Sequence, residues 1–403
     1  MTPPKFSIVI PTYNRATLVP LAVESVLSQD FDGVEVVVSD NHSTDETKAV
    51  LDQYVDDDRV RVISPPEHGP LPVHWEWARS NAKGTYINLL SDDDALVPGS
   101  LARISAVADE YPNTTIVGRL GEYFGPDFPD DRANRLNLWN CGGGATLYPA
   151  HFFLKDLYKF KARFDTHPTG WFFPRLIAEI TAARCGSFFK TNGAEYHAIP
   201  AALAVDPKLV HIDEHIGVVG RTPESIGTKI VFTNPGQDAI DEYVADTENR
   251  LRLSPVDVAC FGNLISEGLW AAKQSFPMEL QRYPKSIESY VTYVGREFEQ
   301  RRKLGVRFGW HERQLELLIQ AYKVDIHAPD KLTGRIASRL TKPFVPKTRQ
   351  VVGSEVGFVD VLGAVRYLAS LPTTPPSTRS SAARSSAARS SAALSSVLGQ
   401  KRS

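Results

Sequence analysis

The run Ser91-Asp92-Asp93-Asp94 sets three consecutive carboxylates directly after the apolar stretch Tyr86–Leu90 and shortly before Pro98. Two unit charges 4 Å apart repel by about 4 kcal/mol at an effective dielectric of 20, so carboxylates gathered in a crevice favour a cation. Hard oxygen donors select Mg²⁺ or Mn²⁺, which take one or two carboxylates and fill their shell with water and substrate phosphates. A strand ending in such a run at the carboxyl edge of an open α/β sheet would present it to the ligand crevice. Taken alone, the run reads first as a solvated turn whose acidity suits the next helix N-terminus, with Pro98 in its first turn and Asp94 as the N-terminal anchor.

The surrounding pattern supplies the strand. From residue 6 to about 110, short apolar runs alternate with helical stretches, which is the signature of βαβ units around a parallel sheet. Strands are predicted at Phe6–Ile10, Val34–Ser39, Arg59–Ile63 and Tyr86–Leu90, with helices at about 15–28, 45–55 and 71–82. Ile8-Val9-Ile10 and Val36-Val37-Val38 are apolar on both faces, as strands covered by helices on each side must be. Residues 111–200 are mixed, with strands at Thr115–Gly118 and Ala145–Tyr148 and helices near 150–160 and 172–184. The stretch 236–325 reads as helical, and Phe358, Leu362, Val365 and Leu368 place an amphipathic helix over 351–371.

Three strand ends now stand in order: IVIPTYNRA, VVVSDNHSTDET and the carboxylate run. In order and spacing they resemble the family 2 glycosyltransferases of the GT-A fold, clearly over residues 5–110 and loosely over 111–200. The resemblance implies that Pro11, Tyr13 and Asn14 line a nucleotide-base pocket and that Asp40 accepts a hydrogen bond from the base. It implies further that Asp93 takes the metal-ligand position and that Asp92 meets the ribose or a metal-bound water. Two positions depart from the pattern: Asn41 stands where the family commonly has a second aspartate, and Ser91 where its DxD motif has the first. Ser43, Thr44 and Asp45 read as a helix N-cap group. Arg79, in the helix before the metal strand, is either a phosphate neutraliser or a solvated helical residue, and Trp75 and Trp77 suit packing.

Inverting transfer needs a base that takes the acceptor proton as the oxygen attacks. The acidic pair that many relatives place after a GxFD-like turn is missing after Arg163-Phe164-Asp165. Asp165 and His167 are therefore the candidate bases, His167 because imidazole titrates near neutrality; alternatively both cap a helix starting near Trp171. Trp171-Phe172-Phe173 suit an acceptor platform or the core. His211, Asp213 and His215 have strand-type ligand spacing but read as a surface turn. Basic clusters at Arg301-Arg302-Lys303 and from Lys331 to Arg349 suit a solvated face, or contact with an anionic membrane surface.

The whole-chain properties narrow the class. The 403 residues predict two or three domains, and 42% hydrophobic with 23% charged residues is an ordinary globular composition. A formal net charge of −2 gives no field to recruit nucleic acid. Cys141, Cys185 and Cys260 form no CxxC pair, which excludes a zinc ribbon and a disulfide framework and points to a reducing cytoplasm. No export signal or membrane span is read from the pattern, so any membrane contact would be peripheral, at the inner surface.

The expected fold is α/β: a GT-A type, doubly wound mixed or parallel sheet over residues 1–235, its nucleotide-binding half at 5–110 and its acceptor-side half at 111–235. A helical C-terminal region follows at 236–371, then a disordered Ser/Ala/Arg-rich tail at 372–403. The activity that the resemblance implies is metal-dependent, inverting transfer of a sugar from a nucleoside diphosphate sugar, UDP by default, to a hydroxyl of a polysaccharide, glycolipid or protein glycan, with Mn²⁺ or Mg²⁺ as cofactor. A silent sugar-nucleotide-binding protein is one alternative. A nucleotidyltransferase is the other, although PTYNRATL lacks the glycine of a phosphate loop.

Overall fold

Strand β1 (Phe6–Thr12) is buried along its whole length, and its side chains part by parity. Phe6, Ile8 and Ile10 enter one core while Val9 enters another, as the two-residue period of a strand between helical layers requires. The computed structural model describes residues 3–161, 165–232, 254–256, 258–284, 286–327 and 349–371. The chain continues through α1 (Val19–Leu27), β2 (Val34–Asp40), α2 (Thr47–Leu51), β3 (Val60–Ile63), α3 (Leu71–Ser80) and β4 (Tyr86–Leu89). Next come β5 (Ala95–Leu96), α4 (Ser100–Glu110), β6 (Thr115–Phe124), β7 (Arg135–Leu138), β8 (Ala145–Pro149) and α5 (Ala150–Leu157). Then follow β9 (Trp171–Pro174), α6 (Arg175–Cys185), α7 (Ala194–Val205), β10 (Lys208–Arg221) and α8 (Ile226–Phe232).

With a last strand, β11 (Arg349–Val352), the strands form one mixed sheet in the order β11-β7-β6-β9-β4-β1-β2-β3, with β10 pairing β5, β6 and β8. Strands β4, β1, β2 and β3 run parallel, as the alternating pattern requires, and their carboxyl ends share one edge. Helices α1 and α4 cover one face through Val23, Val26, Leu101 and Ile104. Helices α3, α5, α6 and α7 cover the other, through residues such as Ala78, Phe153, Ala178 and Leu203.

Beyond the sheet lie α9 (Phe261–Ser275), α10 (Pro277–Leu280), α11 (Ile287–Lys303) and α12 (Trp310–Tyr322). Helix α9 is buried almost throughout and packs on α7. The two backbones come close at Gly268, where a Cβ would lie 2.6 Å from the Tyr196 backbone carbonyl carbon.

Several expectations are corrected. The segment 351–371 is not one helix. β11 (Arg349–Val352) pairs antiparallel with β7, a short α13 (Gly353–Val356) ends at Gly357 with φ 88°, and α14 (Val361–Ser370) starts afresh with Asp360 accepting from Gly363 N at 2.6 Å. The apolar face read from the sequence is nonetheless the one used, since Phe358, Leu362 and Val365 pack against Tyr123 and Leu136. Trp171-Phe172-Phe173 form strand β9 inside the core, so the helix placed there begins only at Arg175. HIDEH is no surface turn: it lies within β10, with His211 buried, Asp213 paired to Arg119 and His215 accepting from Trp139 N at 3.2 Å. Arg301 is buried and bonded to the Ala259 carbonyl, so the basic cluster it was read into is broken by the core. Most of the Lys331–Arg349 cluster and the tail at 372–403 fall outside the described residues. Among the described residues no helix is long and apolar enough to cross a membrane, and the three cysteines are free.

Candidate active site

Three strand ends meet at the sheet's carboxyl edge. Thr12 closes β1 opposite Asp40 of β2, and Asn41 N donates to Thr12 O at 2.9 Å. The Thr12 hydroxyl crosses to β4's extension and donates to Asp92 Oδ2 at 2.7 Å. Pro11 fits because β1 pairs with β4 only as far as Val9 opposite Leu89. Val9 O accepts from Leu90 N on the β4 side and Thr12 O accepts on the β2 side, so the absent N–H of Pro11 would point past the end of β4.

Tyr13 and Asn14 leave the strand as a loop. Asn14 takes a positive φ of 53°, a conformation asparagine tolerates better than most residues. Its Oδ1 accepts from Thr44 N at 2.7 Å and its N–H donates to Ser43 Oγ at 2.9 Å, so Asn14 ties the first loop to the second. Tyr13 is 43% exposed, and its ring centre lies 4.7 Å from that of His68, leaving an open aromatic face beside the rim. Asp40 is buried, with Oδ1 holding the turn through Ser43 N at 3.0 Å.

Asn41 now has a physical reason. Its amide donates to Gly69 O at 2.8 Å and its Oδ1 accepts from Gly69 N at 3.1 Å, pinning the loop that carries His68. An aspartate there would accept but not donate. Asn41→Asp is expected to lower stability by about 1 kcal/mol, because the Gly69 carbonyl would face a carboxylate; a denaturant midpoint measures it.

The carboxylates divide their work. Asp92 is largely buried and lies 3.8 Å from Arg15 Nε. Burial, with the Asp93 charge adding, pushes its pKa up to about 7 against the opposing pull of Arg15 and the Thr12 bond. Asp93 accepts from Ser225 Oγ at 2.6 Å. Asp94 is not a helix anchor; it is fully buried, accepts from Thr169 Oγ1 and from Gly220 N at 2.9 Å, and lies 3.3 Å from His167 Nδ1. Burial and the neighbouring Asp93 raise its pKa well above the carboxylate range.

Strand β10 passes so close that a Cβ on Gly220 would meet the Asp93 carbonyl oxygen at 1.8 Å. Gly220→Ala is therefore expected to cost about 1–3 kcal/mol through overpacking. Because the atom displaced belongs to Asp93, turnover should fall further than a thermal melt alone would explain.

The segment 165–170 reaches this rim through side chains from β4. Asn88 Nδ2 donates to Thr169 O and Trp171 O, both at 2.9 Å, and Trp171 Nε1 donates to Asp165 O at 2.8 Å. No helix starts at Trp171, and the residues between are a single 3₁₀ turn, Pro168–Gly170. Asp165 is exposed, its Oδ1 accepting from His167 N at 2.9 Å, and the mass of protein around it desolvates the carboxyl enough to raise its pKa. His167 is driven the other way: burial, with Arg221 nearby, lowers its pKa to about 3. Arg221 is weakened by burial but held charged by Glu122, which it meets at 3.0 Å, and by Asp94 and Asp93.

Arg79 lies elsewhere. It is buried on α3, bonded to Glu76 at 2.6 and 3.0 Å with its guanidinium over the Phe188 ring, and no described contact joins it to the carboxylates. The cations beside the rim are Arg15 and Arg221, which sequence reading passed over. Arg15 directly follows the PTYN stretch, and Arg221 is the last residue of a strand, which are the two signals that would have found them.

The sequence profile described as Glycosyl transferase family 2 matches residues 7–180. Residues 7–180 are thereby similar to a family 2 glycosyltransferase domain. The mixed sheet, with its parallel β4-β1-β2-β3 half and helices following on the C-terminal side, is of the GT-A type. The chain is 35% identical over 109 residues to GalNAc(5)-diNAcBac-PP-undecaprenol beta-1,3-glucosyltransferase of Campylobacter jejuni, covering 27% of this chain and 35% of that enzyme. It is 38% identical over 99 residues to the chondroitin synthase of Pasteurella multocida, 24% of this chain and 10% of that one. The chain thus matches about a third or less of the length of these curated relatives. Among solved structures, residues 1–349 of S. aureus TarS in complex with UDP-GlcNAc superpose with a TM-score of 0.48 at 14% identity, covering 79% of this chain and 91% of that one.

Proposed function

We propose that this protein transfers a sugar from a nucleoside diphosphate sugar, UDP being the first choice of nucleotide, to a hydroxyl of a glycan or lipid-linked acceptor, with inversion. The observation that carries the reading is the Asp40–Thr12–Asp92 junction, which gathers an aromatic face, a base-reading carboxylate and a carboxylate cluster at one rim. Tyr13 would stack on the base, Asp40 would accept its N–H, and the Asn14 bridge holds both loops in place. The Glycosyl transferase family 2 match over residues 7–180 supports the same chemistry.

The donor set suits a divalent cation. No cluster of three or more metal-ligating side chains occurs among the described residues, and Asp93 offers hard oxygen beside Asp92. That fits an ion which keeps waters and substrate phosphates in its shell. Asp93 would hold Mn²⁺ or Mg²⁺, with Asp92 at a ribose hydroxyl or a bound water, and the ion would offset charge on the diphosphate. Arg15 and Arg221 add fixed positive charge at the same rim.

Asp165 is the better of the two candidate bases. An imidazole whose pKa is about 3 gives a weak driving force for proton acceptance at neutral pH, whereas a carboxylate whose pKa the surrounding protein raises is a stronger base than usual. In the transfer, Asp165 accepts the acceptor hydroxyl proton, that oxygen bonds to the anomeric carbon, and the bond to the nucleoside diphosphate breaks with its electrons staying on phosphate oxygen. His167, against Asp94, positions the 165–170 segment.

Incubation with UDP-, dTDP- and GDP-sugars, Mn²⁺ and a mixed glycan acceptor pool tests the proposal. Metal-dependent release of nucleoside diphosphate supports it. Tight nucleotide binding without release, or handling of pyrophosphate instead, overturns it.

A further inference from the structure

The turn Thr222–Ser225, between β10 and α8, is closed on itself by short-range bonds. Ser225 N donates to Thr222 O at 3.2 Å, and Thr222 N donates back to Ser225 Oγ at 3.0 Å. Lys229 N donates to Ser225 O at 3.0 Å, so the turn runs directly into α8. These bonds give the turn its shape but not its place. Its place on the rim comes from Ser225 Oγ, which donates to Asp93 Oδ2 at 2.6 Å, and from Arg15 Nη2, which donates to Glu224 O at 2.9 Å.

Arg15 reaches the turn from the other end of the chain. It follows Tyr13 and Asn14 in the first loop, and its backbone is set independently of its side chain. Its N–H donates to Thr47 Oγ1 at 2.8 Å, and its carbonyl accepts from Leu18 N and Val19 N, both at 3.0 Å, where α1 begins. Its guanidinium then spans two neighbours, with Nη2 on the Glu224 carbonyl and Nε 3.8 Å from Asp92 Oδ2.

One planar cation therefore stands beside one carboxylate of the run and fastens the turn that bonds the next. A guanidinium carries several N–H donors in a rigid fork, so it can hold a carbonyl and meet a phosphate at the same time. An ammonium is a point charge on a flexible stem, and once drawn to a phosphate it has no fixed second arm for the carbonyl. A charge-assisted bond to a phosphate also restricts the guanidinium, so its bond to Glu224 O opens less often.

We propose that Arg15 is a positioning residue that couples donor binding to the 222–225 turn: the guanidinium that meets the diphosphate also fastens the turn that carries Ser225 onto Asp93, so that a bound donor steadies the turn. The donor half of this proposal rests on the transferase reading. The fastening of the turn does not, and the two are tested apart.

Amide hydrogen exchange of the full chain is followed by mass spectrometry over residues 222–229, without nucleotide and with UDP plus Mn²⁺ at concentrations that saturate each protein by calorimetry. Without nucleotide, Arg15→Gln is expected to exchange about tenfold or more faster than wild type there, while β2 exchanges as in wild type. With UDP plus Mn²⁺, the wild-type segment should slow by about tenfold or more. Arg15→Lys keeps the charge and should bind UDP within about tenfold of wild type, yet its turn should not slow. Equal exchange in wild type and Arg15→Gln without nucleotide overturns the proposal. So does a wild-type turn indifferent to bound UDP, or a turn that slows as much in Arg15→Lys as in wild type. A wild-type chain that takes up no UDP, dTDP or GDP overturns the transferase reading and the donor half with it, and faster exchange in Arg15→Gln then still supports the fastening of the turn.

Discussion

Asp165→Asn is expected to lower kcat by about 10²–10⁴-fold while leaving donor KM nearly unchanged, since a general base acts in the transition state and not in donor binding. Its backbone carbonyl, which holds Trp171 Nε1, and the acceptance from His167 N can both survive the substitution, so the fold should hold. The pH profile separates Asp165 from its neighbour. Desolvation by the surrounding protein raises the Asp165 pKa, so kcat/KM should fall as pH drops through an apparent value above that of an ordinary aspartate, where the base becomes protonated. The Asp165 contribution to that acid limb should be lost in the variant, while the one from Asp92, with its pKa at about 7, remains. His167→Gln is expected to cost no more than about tenfold and to leave the limb where it was, as befits a positioning residue with a pKa already near 3. Should His167→Gln remove that contribution and Asp165→Asn retain it, the assignment is reversed.

Asp93→Ala should have a comparable effect by a different route. Removing the carboxylate that would hold the cation is expected to reduce turnover by about 10²–10³-fold, the usual cost of losing one transition-state charge stabiliser. The signature is in the metal titration: wild-type activity should saturate with Mn²⁺, and the variant should respond weakly across the same range. Ser225→Ala provides the control. It removes the hydroxyl 2.6 Å from Asp93 Oδ2 but keeps the carboxylate, so a loss under about tenfold is expected. Equal losses in the two variants would mean that Asp93 acts through the loop at 222–225 and not through a cation.

The half of the fold that builds the rim was legible because its signal is local. Apolar strands such as Ile8–Ile10 and Val36–Val38 are buried on both faces, so their runs stand out without any knowledge of partners. Strand β9 was obscured because Trp171-Phe172-Phe173 is an apolar run whose period does not separate a buried strand from a buried helix. Strand β11 was hidden in the same way, since its partner, β7, lies more than 200 residues earlier in the chain. Asp94 was misread for a related reason: its partners Thr169 and Gly220 arrive from distant segments, and only packing shows that a carboxylate in an acidic run is a buried hub. Arg79 looked available because i,i+3 pairing to Glu76 is indistinguishable, in sequence, from a charged exposed face. What was readable at the site was its order of motifs; what was not was the set of groups that cross between them, Thr12, Asn88, Thr169 and Arg221.

The proposed convergence of three loops on one nucleotide and one cation is most directly tested by titrating UDP into the full chain by calorimetry, with and without Mn²⁺. The account predicts saturable one-to-one uptake that tightens at least about tenfold, or 1.4 kcal/mol, when manganese is present, and that is lost in Asp93→Ala. No uptake of UDP, dTDP or GDP with manganese, or uptake indifferent to the metal and to Asp93, would contradict it.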